Sequence, residues 1–243
     1  MEFGRYFVKI FALSDFHLSF EVEGKPMDIF GDGWKDYEKE IEKNWNFIVG
    51  KDDIGIIAGD ISWAMKMEKT KKDFEFIHRL NGKKIIIRGN HDYWWKSIAQ
   101  IREFVAPDIF ALQNDSIVFG NYVFVGTRGW HTPERRETQT DEDKKIYNRE
   151  VVRLQLALED SVRKSYAENI KNPKVVVILH YPPFNSNRDD SDFTRLCETF
   201  KVSAVVYGHL HGNFGNALSC EKNGIQYYLS STDKLKHKPV EIK

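Results

Sequence analysis

The stretch "IIIRGNHDYWW" (residues 85–95) runs from three isoleucines through an arginine into glycine, asparagine, histidine and aspartate, and then into three aromatics. A strand buried on both faces of a parallel sheet is close to uniformly apolar, as Ile85, Ile86 and Ile87 are. The polar residues then fall just past its carboxyl end, where open α/β sheets bind their ligands. The rest of the chain decides whether this is a site or only a loop.

Further short apolar, β-branched runs lie at residues 8–13, 54–58, 84–87, 175–179, 204–207 and 225–229. Helical patterns separate them at 34–49, 66–80, 94–104 and about 142–169. This alternation predicts an α/β fold. The stretch "SIVFGNYVFVG" (116–126) predicts a hairpin with Gly120 and Asn121 at positive φ in the turn, so the sheets are expected to be mixed. In the last helix Ile146, Val151, Leu154, Leu158 and Val162 fall near one face and read as core packing. The polar loop "NSNRDDSD" (185–192) reads as a mobile connection that ends in a helix cap at Ser191.

A chain of 243 residues can bury one sizeable core, so a single domain over 1–243 is expected. Lysine plus arginine and aspartate plus glutamate balance at 36 each, which argues against a polynucleotide or acidic-membrane partner. Cys197 and Cys220 lie far apart in no metal-binding spacing and read as small buried residues of a reducing interior. The N-terminal apolar run, interrupted by Arg5 and Lys9, does not read as a signal peptide, and no segment approaches a transmembrane length. A cytoplasmic location is the expectation.

Most of the strand candidates end in the same chemistry. Asp15 and His17 follow the first, Asp60 the second, Asn90, His91 and Asp92 the third, His180 the fourth, and His209 and His211 the fifth. Five of the eight histidines fall in these clusters, whereas His78, His131 and His237 are scattered. If the carboxyl ends lie on one side, the five loops converge. Nitrogen and oxygen donors of this hardness suit zinc, manganese or iron rather than calcium. A set of seven ligands exceeds one tetrahedral ion and suits two ions sharing a carboxylate. An extended D-x-H segment points both side chains the same way, so Asp15 with His17, and His209 with His211, can each grip one ion. Gly59, Gly89 and Gly208 each precede a proposed ligand and relieve crowding there. Singly, these residues could cap helices or hold turns; together, uncompensated carboxylates and imidazoles would be costly without a cation.

The blocks "DFH", "GD", "GNHD", the histidine of "LHYPP" and "GHLH" occur in that order from Asp15 to His211. This ordered set resembles the calcineurin-like metallophosphoesterase family. The resemblance implies two mixed β-sheets packed as a sandwich between helices, with the metals at the strand carboxyl ends. It implies that Asp15, His17 and His211 hold one ion, that Asn90, His180 and His209 hold the other, and that Asp60 bridges them. His91 would face the leaving group, positioned by Asp92. Tyr181 stands where many relatives carry a second histidine, at a position that is not a required ligand.

The activity this implies is hydrolysis of a phosphoester by a metal-bridging hydroxide, with His91 as general acid and manganese, iron, zinc or cobalt as the two ions. The substrate would be a small, possibly nucleotide-like phosphoester. The alternatives are a phosphodiesterase or nuclease with the same centre, or a non-catalytic metal-binding scaffold for protein interaction. Trp63, Tyr93, Trp94 and Trp95 read as aromatics that start helices and bury against the sheet, with at most one or two facing substrate. Arg128 or His131 could touch phosphate or lie on the surface, and Arg88 reads as structural. The site's cover must come from segments 18–35, 129–145 and 185–192.

Overall fold

The computed structural model describes residues 8–25, 27–212 and 219–243. Its two sheets account for the apolar runs directly. The first combines β1 (Ile10–Ala12), β2 (Ile54–Ile57), β3 (Lys83–Ile86), β4 (Ile109–Ala111) and β11 (Val240–Ile242) in the order β11-β1-β2-β3-β4. The second combines β5 (Asp115–Phe119), β6 (Tyr122–Gly126), β7 (Lys174–Leu179), β8 (Ala204–Tyr207), β9 (Cys220–Lys222) and β10 (Ile225–Leu229) in the order β5-β6-β7-β8-β10-β9. The inner strands run parallel, while β11, β5 and β9 pair antiparallel, so both sheets are mixed.

The sheets pack face to face, and helices cover their outer faces. Ile10, Ile54, Ile56, Ile85 and Ile87 meet Phe124, Val176, Ile178 and Val206 between the sheets. The alternate residues Phe11, Ile57 and Ile86 turn outward onto α1 (Tyr37–Ile48), α2 (Lys71–Arg79) and α3 (Ile98–Phe104). Val125, Val177 and Val205 turn outward onto α4 (Asp141–Ala167) and α5 (Asp192–Thr199). Strand side chains alternate, so a strand covered on both faces needs apolar residues at every position. Ile85, Ile86 and Ile87 are three consecutive isoleucines for that reason.

The expected elements are present, with shifted bounds. The hairpin joins β5 to β6 through a two-residue turn, in which Gly120 takes φ 62 and Asn121 does not take a positive φ. Trp94 and Trp95 lie in a turn, so the third helix begins only at Ile98, where Ser97 and Gln100 form a capping box. The first α-helix begins at Tyr37, with Trp34 in a separate 3₁₀ turn, and the second opens with a 3₁₀ turn over Met67–Thr70. Ser191 caps α5 as expected.

The buried face of α4 carries Tyr147, Glu150, Leu154, Ala157, Leu158, Ser161 and Ser165, while Val162 is exposed. Polar members hide this face from an apolar periodicity. The polar loop 185–192 is tied down: Arg135 pairs with Asp189, Ser186 bonds Glu134, and Asn185 Oδ1 accepts from the amides of Asn187 and Asp189. Cys197 is buried, Cys220 is half-buried, and both are free thiols. No helix among the described residues is long and apolar enough to cross a membrane.

Trp45 of α1 packs against β2 because Gly55 leaves room for it. A β-carbon there would sit 2.2 Å from Trp45 Cζ2, and the indole Nε1 donates to Asn81 O at 2.9 Å. Gly55→Val should therefore lower unfolding stability by about 1–3 kcal/mol, as overpacking does. A denaturant midpoint unchanged in that variant would contradict the packing described.

Candidate metal centre

The chain past β1, β2 and β8 enters the site in left-handed backbone. Asp15, His17, Asp60 and His209 have φ of 59, 48, 50 and 70°. This corrects the expectation of an extended D-x-H segment: Asp15 and His17 do reach one cluster, but through turns that residues other than glycine rarely adopt. Hydrogen bonds between the loops fix these turns. Asp15 N donates to Gly59 O at 3.1 Å, His17 N to Asp60 O at 2.9 Å, and Leu18 N to Ile61 O at 2.9 Å. Beneath them Ser14 Oγ accepts from Ala58 N and meets Ser230 Oγ, each at 2.7 Å. Close approach also explains two glycines. A β-carbon at Gly89 would lie 2.1 Å from Asp60 Oδ1, and one at Gly208 2.5 Å from Asp15 Oδ2.

Two groups of donors result: Asp15, His17 and His211, and Asp60, His180 and His209, with ligand atoms in each group within 4.8 Å of one another. Asn90 joins the second, its Oδ1 lying 2.5 Å from His180 Nε2 and 2.8 Å from His209 Nδ1. Asp60 stands between the groups. Its Oδ2 is 3.7 Å from His17 Nε2 and its Oδ1 is 3.5 Å from His180 Nε2. All seven expected ligands are thus brought together.

The proton positions test whether this set suits cations. His180 Nδ1 lies 2.9 Å from Ala58 O, which can only accept, so the ring donates there and leaves a lone pair on Nε2. That lone pair faces two further acceptors, Asn90 Oδ1 and Asp60 Oδ1, and lies 3.3 Å from His209 Nδ1. His211 repeats the pattern, with Nδ1 on Asp233 Oδ1 at 3.0 Å and Nε2 aimed at His17 Nε2, 3.2 Å away. Imidazole donating from one nitrogen to a carboxylate or carbonyl while presenting the other is how proteins orient metal-ligating histidine. Burial pushes Asp15 up to about 8 and raises Asp60, while it drives His17 well below its ordinary value and His180 and His209 down to about 3. Burial also works to lower His211, but the hydrogen bond to Asp233 and the charges of Asp15 and Asp60 outweigh it and raise the net value. The neutral imidazole of His180 presenting its lone pair to an amide oxygen and a desolvated carboxylate, with the ring nitrogens of His17, His209 and His211 close by, fits a pair of divalent ions.

His91 belongs to neither group. Its amide donates to Asp60 Oδ1 at 2.8 Å, and its half-buried ring packs 4.6 Å from Trp63, 5.6 Å from His17 and 6.3 Å from Tyr93. Asp92 is buried and spends both oxygens elsewhere: on the amides of Ile61, Ser62 and Gly89 and on Trp94 Nε1. It fixes the loops that carry Asp60 and His91, whereas direct support of the His91 ring was expected. Burial, and then the charge of Asp60, raise its carboxyl to about 7.

Of the four candidate aromatics, Trp94 and Trp95 are buried in the outer core, whereas Trp63 stacks on His17 at 4.8 Å and Tyr93 is 54% exposed beside His91. His131 bonds Glu137 at the surface. Arg128 lies against the site, its carbonyl accepting from the amides of His180 and Tyr181.

Three supporting residues escaped the sequence reading. Asp233 orients His211; Asp73, buried in α2, accepts from Ser62 Oγ and from the amide of Phe20; and Tyr37 donates to His17 O at 3.0 Å. A signal for Asp233 was present, because β10 also ends in a polar cluster, residues 230–233.

The family model described as calcineurin-like phosphoesterase matches residues 8–213, and the chain belongs to that family. A probable cyclic nucleotide phosphodiesterase of Coxiella burnetii is 24% identical over 178 residues, covering 68% of this chain and 62% of that protein, less than two thirds of its length. The crystal structure of TT1561 from Thermus thermophilus superposes with a TM-score of 0.55 at 13% identity, covering 97% of this chain and 98% of that one. That of a phosphopantetheinyl hydrolase from Mycobacterium tuberculosis gives 0.52 at 14% identity, covering 96% and 95%. At these identities the structures establish the shared fold.

Asp233→Ala should weaken binding of one of two manganese equivalents about 10–100-fold, the usual cost of removing an orienting partner. Calorimetric titration of both proteins reads this directly, and identical isotherms would show that Asp233 does not support a ligand.

Proposed function

We propose that the protein is a dinuclear-metal phosphoester hydrolase, in which Asp15, His17 and His211 hold one divalent ion, Asn90, His180 and His209 hold the other, and Asp60 is shared. The observation that carries this reading is the buried lone pair of His180 Nε2 directed at Asn90 Oδ1 and Asp60 Oδ1, with His209 Nδ1 and the closely spaced Nε2 atoms of His17 and His211 beside it. The donor set suits manganese, iron or zinc. Two such ions supply an activated water and neutralise charge on the phosphoryl oxygens.

The remaining work falls to the chain. His91 sits beside the first ligand group, half-exposed and outside both ligand sets, where its imidazole protonates the departing alkoxide. Its amide bond to Asp60 and the clamp of Asp92 on the loops hold it at a fixed distance from the shared carboxylate. Trp63 and Tyr93 flank the His91 ring and offer aromatic surface to the leaving group, which suits an aryl or nucleobase-bearing ester. A non-catalytic scaffold would have no use for a free imidazole in that position. The name of the Coxiella burnetii relative favours a second reading in which the scissile ester is a phosphodiester, cleaved by the same centre.

His91→Ala should lower turnover of an aryl phosphate by about a hundredfold to ten-thousandfold while metal content stays at the wild-type level. Asp60→Ala should lose metal and activity together. Elemental analysis beside a chromogenic assay separates the two; metal loss in His91→Ala, or retained activity in Asp60→Ala, would overturn these assignments.

A further inference from the structure

The centre is also bordered by arginines that, among the described residues, have few acceptors. Arg88 follows β3 two residues before Asn90, and Arg128 follows β6 with its carbonyl bonded to His180 N. The two strand ends touch, since a β-carbon at Gly126 would lie 2.8 Å from Ile87 Cγ2. The side chain of Arg128 is 21% exposed, and its guanidinium lies 4.9 Å above Trp130, which is tilted 5.3 Å from Tyr181; Tyr181 in turn lies 4.3 Å from His209. This is a continuous wall running up to the second ligand group.

Its acceptors are too few. Glu150, fully buried, is 3.7 Å from Arg128, 3.7 Å from Arg149 and 2.6 Å from Arg153, so one carboxylate serves three guanidiniums. Arg88 Nε and Trp130 Nε1 are buried donors with no hydrogen-bond partner among the described residues. Burial lowers the Arg128 guanidinium, with Arg88 and Arg149 adding to that against the pull of Glu150. In a chain whose charges balance overall, this is a local excess of positive charge with donors left unsatisfied. An anionic oxygen would satisfy these donors.

We propose that Arg128 and Arg88 bind the non-reacting oxygens of the substrate's phosphoryl group and so make the site selective for a phosphomonoester dianion over a diester. The inference rests on the phosphoester-hydrolase reading of the centre. His91 and its aromatic neighbours lie by His17, so the leaving group departs on that side; the arginines lie by Asn90 and His180, where the remaining phosphoryl oxygens point. A diester replaces one of those oxygens with a second ester substituent, which removes charge and adds bulk against the arginines. Guanidinium matches phosphate oxygens in charge and in planar donor geometry.

The test pairs 4-nitrophenyl phosphate with methyl 4-nitrophenyl phosphate, which share a leaving group, on metal-loaded wild type, Arg128→Gln and Arg128→Lys. Arg128→Gln should lower kcat/KM for the monoester at least about tenfold and for the diester less than about threefold, with partial recovery in Arg128→Lys. Equal losses on both esters, or none, would overturn the proposal. A calorimetric titration of the metal-stripped proteins with inorganic phosphate reads the same subsite without turnover: wild type should bind, and Arg128→Gln at least about tenfold more weakly. If neither ester reacts with any metal, the hydrolase reading fails while the phosphate titration still decides the arginine pair; equal binding, or none by wild type, rejects it. Should Arg128→Gln fail to fold by circular dichroism, Arg88→Gln carries the same comparisons.

Discussion

The carboxylate of Asp60 is the constraint on which the rest of the site depends. One oxygen faces His17 and the other faces His180, while the His91 amide donates to the same group. Taking that charge out of water is costly unless something compensates it, and among the described residues Asp60 pairs with histidines rather than with lysine or arginine. It is surrounded by imidazole lone pairs and a second buried carboxylate, Asp15. On the proposed reading, cations standing between these groups supply that compensation. The His91 amide bond to the same carboxylate places the proposed proton donor beside the centre.

Such crowding demands unusual backbone. Four of the residues at the centre, Asp15, His17, Asp60 and His209, hold left-handed conformations that cost on the order of 1–3 kcal/mol each. The sandwich opposes that strain: the β1 and β2 loops pair with each other, Ser14 ties both to Ser230, and Asp73 and Asp92 clamp the loops from outside the ligand sets. Tight packing of Gly89 on Asp60 and of Gly208 on Asp15 leaves no freedom for the ligands to spread. Of the site's borders, Trp63, Tyr93 and Arg88 follow strands of the first sheet and Arg128 follows a strand of the second.

The inner strands were legible because burial on both faces leaves no polar position to confuse the pattern, as at 85–87. The ligands were legible because polar residues past apolar strands have few structural reasons to recur in five places. Other features were hidden for identifiable reasons. Strands β4, β9 and β11 have three residues each, too few to show a period. The buried face of α4 includes Tyr147 and Glu150, so an apolar count rotates it wrongly. The D-x-H geometry depended on backbone angles that residue types do not announce. Arg128 stood out in sequence only as one of two residues that could touch phosphate, and Arg88 read as structural; the meeting of the β3 and β6 ends gives them a shared border.

The central claim is that two cations share Asp60. Anomalous diffraction from crystals grown with manganese tests it most directly. The account predicts two peaks about 3.5–4 Å apart, one beside Asp15, His17 and His211 and one beside Asn90, His180 and His209, with Asp60 between them. A single peak, or peaks away from Asp60, would contradict it.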